Sequence, residues 1–423
     1  MKLLSSTALF TAFTLLAGAA HADVTLSVLI DNSPETVAAM DALTSAYSEK
    51  HPDISFDVEV RASGSEGDNL IKTRLATEEM SDLFNYNSGS LFQALKPERT
   101  LADLSDLPAQ DNVLDSFKSV VTSSDGKLRG VPFGPGTGAG FFYSKPIYKE
   151  LGLSIPKTWD EFMANGEKIK AAGKVVVEQT YGSSWTSQML VLGDFYNVLA
   201  EAPDFAKDFT ENKAKFATTP AALRSFEHLK DIHDAGFLNK DFGAATFDDG
   251  MRSVALGEAA HYPLLSFALT GVQQNYPDDV DNIGFFPIPG VDPSKNGVTV
   301  WMSNGLFIPS SAEHLEEAKE FANWAASPEG CNIWAKAVPT GPYFVKGCTL
   351  PDDVVAAVKD LLPYFEEDGK TAPALEFLSP LKGPALEQIT VEVGSGIRSP
   401  EDGAALYDQD VEKQAKQLGL PNW

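Results

Sequence analysis

Cysteine and arginine are scarce in this 423-residue chain, which holds two cysteines, Cys331 and Cys348, and seven arginines. Two cysteines make no structural zinc cluster, and their spacing is not that of a Cys-x-x-Cys redox pair. Few arginines speak weakly against an anionic ligand, because carboxylates and phosphates favour guanidinium forks; only Arg61 and Arg252 fall near candidate loops. Positive charge is short altogether: 33 Lys and Arg stand against 59 Asp and Glu, a formal charge of −26. That excess disfavours nucleic acid or an anionic membrane surface as partner. Neither a Gly-x-Ser-x-Gly elbow nor a His-Glu-x-x-His helix occurs. His228 and His233 lie five apart on different helical faces, so they do not form a zinc pair. The glycines from Gly134 to Gly140 echo a nucleotide loop but do not open a helix, which phosphate cradling requires. Beyond the N-terminus no run approaches the roughly 20 apolar residues of a membrane span.

What is present begins with a leader. Lys2, the apolar run from Leu3 to Gly18 and the small-x-small site Ala20-His21-Ala22 predict a cleaved signal peptide over residues 1–22. No cysteine follows the cleavage site, so the remaining chain is expected to be soluble in a periplasm rather than lipid-anchored. In that oxidising compartment Cys331 and Cys348 are expected to form a disulfide, worth about 3 kcal/mol in the chain-entropy model. About 400 residues exceed what one core usually accommodates, which predicts two domains.

Val24–Ile30 reads as a buried strand, and Ser33-Pro34 opens a helix with Val37, Met40, Leu43 and Tyr47 on one face. Ile54–Val60 is a second strand, Asp68–Met80 a second helix and Asp82–Tyr86 a third strand. This β-α-β-α-β order predicts parallel pairing, with ligands bound beyond the carboxyl ends of the strands. Three polar loops are selected by that geometry: Asp31-Asn32, Ser63 to Gly67, and Asn87 to Ser90. A further α/β set runs from Thr158 to about Asp281.

Between the two sets lies Asp125-Gly126-Lys127-Leu128-Arg129-Gly130-Val131-Pro132, followed by Phe142-Tyr143-Ser144-Lys145 and Pro156-Lys157-Thr158-Trp159-Asp160-Glu161-Phe162. This stretch resembles extracellular solute-binding proteins (family 1) of sugar ABC transporters, a family that includes maltose-binding protein. Gly257-Glu258-Ala259-Ala260 and the helix from Leu315 to Ala326 are similar to the same family, whereas Ser144 replaces a common Asn and Ser266-Phe267 a common Ser-Trp. The resemblance implies an α/β, two-lobed periplasmic binding protein fold (type II-like), with mostly parallel sheets flanked by helices and three interlobe crossings. One lobe would comprise 23–135 plus 285–326, the other 136–284 plus 327–423. Ile283–Gly290 would be a return strand between lobes, and Trp301–Pro309 would continue the first sheet.

The resemblance further implies a non-enzymatic receptor that needs no cofactor or metal. It would act as a monomer, close in venus-flytrap fashion on a carbohydrate in the interlobe cleft, and deliver it to a membrane permease. Sugar binding calls for aromatic faces and planar polar groups. The candidates are Trp185, Phe267, Trp301 and Tyr343 as platforms, with Asp31, Asn32, Glu66, Asn87, Ser88 and Thr137 as polar partners. Trp159, Trp324 and Trp334 are assigned to core packing. Phe133, Gly134, Gly136 and Gly284 are the expected hinge. A polyol, polyamine or sugar-phosphate receptor, an exported carbohydrate-active enzyme, and an adhesin or sensor domain remain as alternatives.

Overall fold

The computed structural model describes residues 24–352 and 354–423; the expected signal peptide lies outside them. No helix among the described residues is long and apolar enough to cross a membrane.

The first half is built as the apolar pattern dictates. Strand β1 (Val24–Asp31) pairs in parallel with β2 (Ile54–Arg61) and β3 (Leu83–Tyr86), joined by helices α1 (Pro34–Lys50) and α2 (Ser65–Thr77). Ser33 precedes α1 with extended backbone and Pro34 occupies its first position, where a missing N–H costs nothing. Strand β4 (Gly130–Phe133) and strand β10 (Asn304–Phe307) complete a five-stranded sheet of order β2-β1-β3-β10-β4, with β10 antiparallel to both neighbours. The second sheet is organised on the long strand β5 (Thr137–Ser144). Strands β7 (Ala259–Leu265), β8 (Ile283–Phe286) and β9 (Val298–Trp301) pair antiparallel to it, while β6 (Val175–Val177) and β11 (Thr371–Pro373) add parallel edges on β7 and β9. Parallel pairing thus holds where a helix connects successive strands.

Two separate hydrophobic cores follow these sheets. One gathers residues between Leu26 and Phe133 and again between Leu306 and Val345; the other gathers residues between Ala139 and Trp301 and between Val354 and Ala415. The chain therefore passes between cores three times, at 134–138, at 302–305 and after Val345. These positions differ from the expected boundaries in two respects. The return to the first sheet falls at Met302-Ser303, not at 285, because Phe285 and Phe286 of β8 pack on Phe142 and Phe141 of β5, with ring centroids 5.6 and 5.5 Å apart. The segment 327–345, expected in the second lobe, packs on the first. Helix 328–337 lies against α1, and Trp334, 1% exposed, sits in the first core beside Tyr343. Cys331 of that helix is disulfide-bonded to Cys348 at the start of the third crossing, with Cα atoms 5.7 Å apart.

Candidate functional site

Between the lobes lies a cavity of about 1160 Å³. Its first wall consists of the carboxyl ends of β1, β2 and β3 and the loops after them. Asp31 ends β1 and accepts from Asn85 Nδ2 at 2.6 Å and from the Ser33 N–H at 3.0 Å, while Ser33 Oγ also donates to it. Asn32 lies beside Ser63, whose Oγ donates to Asn32 Oδ1 at 2.8 Å. Glu35, in the first turn of α1, has its carboxyl pushed up to about 8, by burial first and then by the charge of Asp31. Asn87, after β3, completes this polar wall.

The second wall is aromatic. Trp185, Phe247 and Phe267 are half-buried and come from three different elements beyond the ends of β6 and β7. Their ring centroids lie 5.3 Å apart for Trp185 and Phe247, 6.0 Å for Trp185 and Phe267, and 6.1 Å for Phe247 and Phe267. Phe247 is held there because Thr246 caps the helix 247–255 reciprocally with Asp249. Thr137 and Trp301, adjacent across β5 and β9, form the floor. Trp301 Nε1 donates to Glu376, and Lys382 Nζ lies 3.3 Å from the second oxygen of that carboxylate. Glu387 accepts from Ser184 Oγ at 2.9 Å and also borders the cavity.

The lobes touch around this cavity. A Cβ placed on Gly64 would come within 3.6 Å of Trp185, and one on Gly271 within 3.2 Å of Pro34. Gly89 of the first lobe approaches the segment 375–378 of the second so closely that a Cβ there would lie 2.6 Å from the Glu376 carbonyl oxygen and 2.7 Å from the Phe377 ring.

Asp31, Asn32, Asn87, Thr137, Trp185, Phe267 and Trp301 border the cavity. Three other candidates do not. Glu66 is exposed on α2 and borders a separate shallow depression with Ala62 and Leu70. Ser88 is 3% exposed and spends its hydroxyl on the Ser303 carbonyl at 2.8 Å. Tyr343 is buried, its hydroxyl donating to the carbonyls of Ala335 and Val338. In both cases a satisfied polar atom serves the scaffold.

Of the hinge candidates, Phe133, Gly134 and Gly136 lie at the first crossing, Gly134 with a φ of +100°. Gly284 does not lie at a crossing: it sits inside β8 opposite Tyr143, whose ring occupies the space a Cβ would need. Residues missed from sequence include Glu35, Asp68, Lys72, Gln188, Phe247, Glu376, Lys382 and Glu387. The Thr246-x-x-Asp249 capping pattern was a usable signal for Phe247. Nothing local marks Glu376 or Lys382 as cavity residues.

Two α/β lobes with a ligand-sized cavity between the ends of their strands define a two-lobed binding protein. A sequence model of the family "Bacterial extracellular solute-binding protein" matches residues 31–330, and the chain belongs to that family. Among curated relatives, the "Multiple sugar-binding protein" of Streptococcus mutans is 24% identical over 287 residues, 66% of this chain and 66% of that protein. The "Arabinooligosaccharide-binding protein" of Bacillus subtilis is 24% identical over 303 residues, 68% of this chain and 66% of that protein. The chain thus matches just under two thirds of the length of these relatives. A solved "Chitin oligosaccharide binding protein" superposes with a TM-score of 0.79 at 23% identity, covering 92% of this chain and 98% of that one. The stretch from 331 onward, which supplies Glu376, Lys382 and Glu387 to the cavity, lies outside the family match.

Proposed function

We propose that this chain is the exported, monomeric receptor of an ATP-driven (ABC) importer, which captures a carbohydrate between its lobes and presents it to a membrane permease. The observation that carries this reading is the pairing of walls: three half-buried aromatic rings on one lobe face a hydrogen-bonding surface on the other. A sugar ring has an apolar face and a polar rim, and such a cleft serves both. The cavity exceeds the usual 300–1,000 Å³ of small-ligand sites, which leaves room for more than one ring. The names of the relatives point the same way. Ligand contacts to both lobes stabilise the closed form, so binding shifts the population towards it without chemistry in this chain.

A polyamine would need several uncommitted carboxylates; Asp31, Glu376 and Glu387 are each engaged by protein donors, and Glu35 and Asp248 are cavity acids left to it. The test is a panel of mono- and oligosaccharides, polyols and polyamines in thermal-shift and scattering measurements. A saccharide should raise the melting temperature and compact the particle. Stabilisation by a polyamine alone, or turnover of a glycoside, refutes the reading.

A further inference from the structure

Strand β2 ends on Arg61, whose side chain borders the cavity although the residue is only 7% exposed. Its Nη1 donates to the Ala62 carbonyl at 3.0 Å and its Nη2 to the Asn85 carbonyl at 3.3 Å, while the covered Nε has no partner. Both acceptors are neutral. Among the described residues Arg61 forms no ion pair, and the Tyr86 ring 5.9 Å from its Cζ offsets only part of the cost of holding a buried cation.

Two more cations face the same region: Lys72 from α2 and Lys382 from the opposite lobe, both bordering the cavity. All three act on Asp68, whose carboxyl is raised by burial and drawn back down by their charges. With Glu376 paired to Lys382, this corner holds three cations against two carboxylates. Lys72, exposed, also forms no ion pair among the described residues. Of the acids elsewhere in the cavity, Asp31 is engaged by Asn85 and Ser33 and Glu387 by Ser184, while Glu35 and Asp248 border other parts of it, away from Arg61 in the sequence and without an ion pair among the described residues. In this corner Arg61 and Lys72 have no acidic partner among the described residues, which reverses the expectation drawn from the low arginine count.

We propose that the carbohydrate carries an acidic substituent, a carboxylate or a phosphate ester, which seats beside Arg61 and Lys72 of the first lobe and Lys382 of the second. The proposal rests on the carbohydrate reading above. A charged group bonded from both lobes contributes only when they are together, so it also favours closure.

The test is calorimetric titration of the full chain with matched pairs, cellobiose against cellobiouronic acid and galactobiose against digalacturonate, together with glucose 6-phosphate and inorganic phosphate. An acidic saccharide is expected to bind at least about tenfold tighter than its neutral partner, the usual worth of a charge-assisted hydrogen bond. The preference should shrink as sodium chloride is raised. Lys72→Gln, at an exposed helical position, should narrow it and Arg61→Gln should abolish it. Stronger binding of uronates or of the hexose phosphate assigns the substituent. Equal or tighter binding of the neutral members overturns the acidic substituent and leaves the carbohydrate reading standing; no binding by any saccharide overturns both. Inorganic phosphate binding as tightly as an acidic sugar also overturns it, because the sugar would then contribute nothing.

Discussion

Replacing Gly89 by alanine separates folding from ligand binding. Gly89 has a φ of +72° and a ψ of −136°, a conformation that suits glycine alone, so any side chain there meets a backbone penalty of about 1–3 kcal/mol whatever the lobes do. It also faces Phe377 and the Glu376 carbonyl across the cleft, and an alanine Cβ would stand 2.7 and 2.6 Å from them, well inside ordinary contact. The first penalty is common to open and closed forms; the second exists only while the lobes are together. Gly126 is the matching control, with a φ of +78° and nothing within 4 Å of a Cβ. Urea unfolding should show both Gly89→Ala and Gly126→Ala destabilised, by about 1–3 kcal/mol. Calorimetric titration with the ligand should separate them. Gly126→Ala should bind as the parent does, and Gly89→Ala should bind about 5- to 150-fold more weakly, the range of a 1–3 kcal/mol overpacking cost. If Gly89→Ala keeps the parent affinity while losing stability like the control, the Phe377 contact does not belong to the ligand-holding arrangement.

Trp185→Ala should weaken saccharide binding about tenfold or more and reduce the ligand-induced change in tryptophan fluorescence, leaving the part that comes from Trp301, while Trp185→Phe keeps most of the affinity; unchanged binding in the alanine variant would remove the aromatic wall from the site. The Cys331→Ser, Cys348→Ser double variant should lose about 3 kcal/mol of stability for a loop closed over 17 positions, and an unchanged urea midpoint would refute that entropic estimate. His261 is fully buried, with Nε2 2.7 Å from the Tyr148 hydroxyl and Nδ1 2.7 Å from the Val176 carbonyl, and burial lowers it to about 4. Because the folded value is depressed, the unfolded chain binds the extra proton between about 6.5 and 4. Its contribution is therefore complete above 6.5 and lost as pH falls towards 4. His261→Gln should flatten that part of the stability–pH curve, and an identical curve would reject the assignment.

The first lobe was legible because its strands and helices follow one another with clean apolar periods, from Val24 to Tyr86. The polar loops at Asp31-Asn32 and Asn87 followed from the rule that α/β sites lie beyond strand ends, and Trp185 and Phe267 from the family resemblance and their place after strands. The switch between sheets at Met302-Ser303 was not legible. Val298–Trp301 and Asn304–Phe307 read as nearly one apolar strand, and periodicity does not record which sheet a strand joins. The same blindness put Tyr343 on the cleft: a tyrosine in a Pro-Gly turn looks exposed until Ala335 and Val338 are seen to hold its hydroxyl. Glu376 and Lys382 were hidden for a different reason. They reach the cavity only through the pairing of β11 with β9, a contact that spans some seventy residues of chain.

The first two crossings are gripped from both sides. The Gly136 N–H donates to the Pro342 carbonyl at 2.7 Å, and the Phe344 ring lies 3.1 Å from where a Gly136 Cβ would be, so the first lobe holds the chain up to residue 136. At the next residue Thr137 is already paired with Trp301 in the second sheet. On the returning strand, Ser303 is bound to Phe133 and Ser88 of the first lobe, which leaves Met302 between the two grips. Any rotation of one sheet against the other must be taken up within a peptide or two on each of two adjacent strands. Such a joint behaves as a short axle rather than a tether. It permits turning about one line, resists sliding and splaying, and carries a small dihedral change at its centre to the rim of the cleft as a displacement that grows in proportion to distance from the axis.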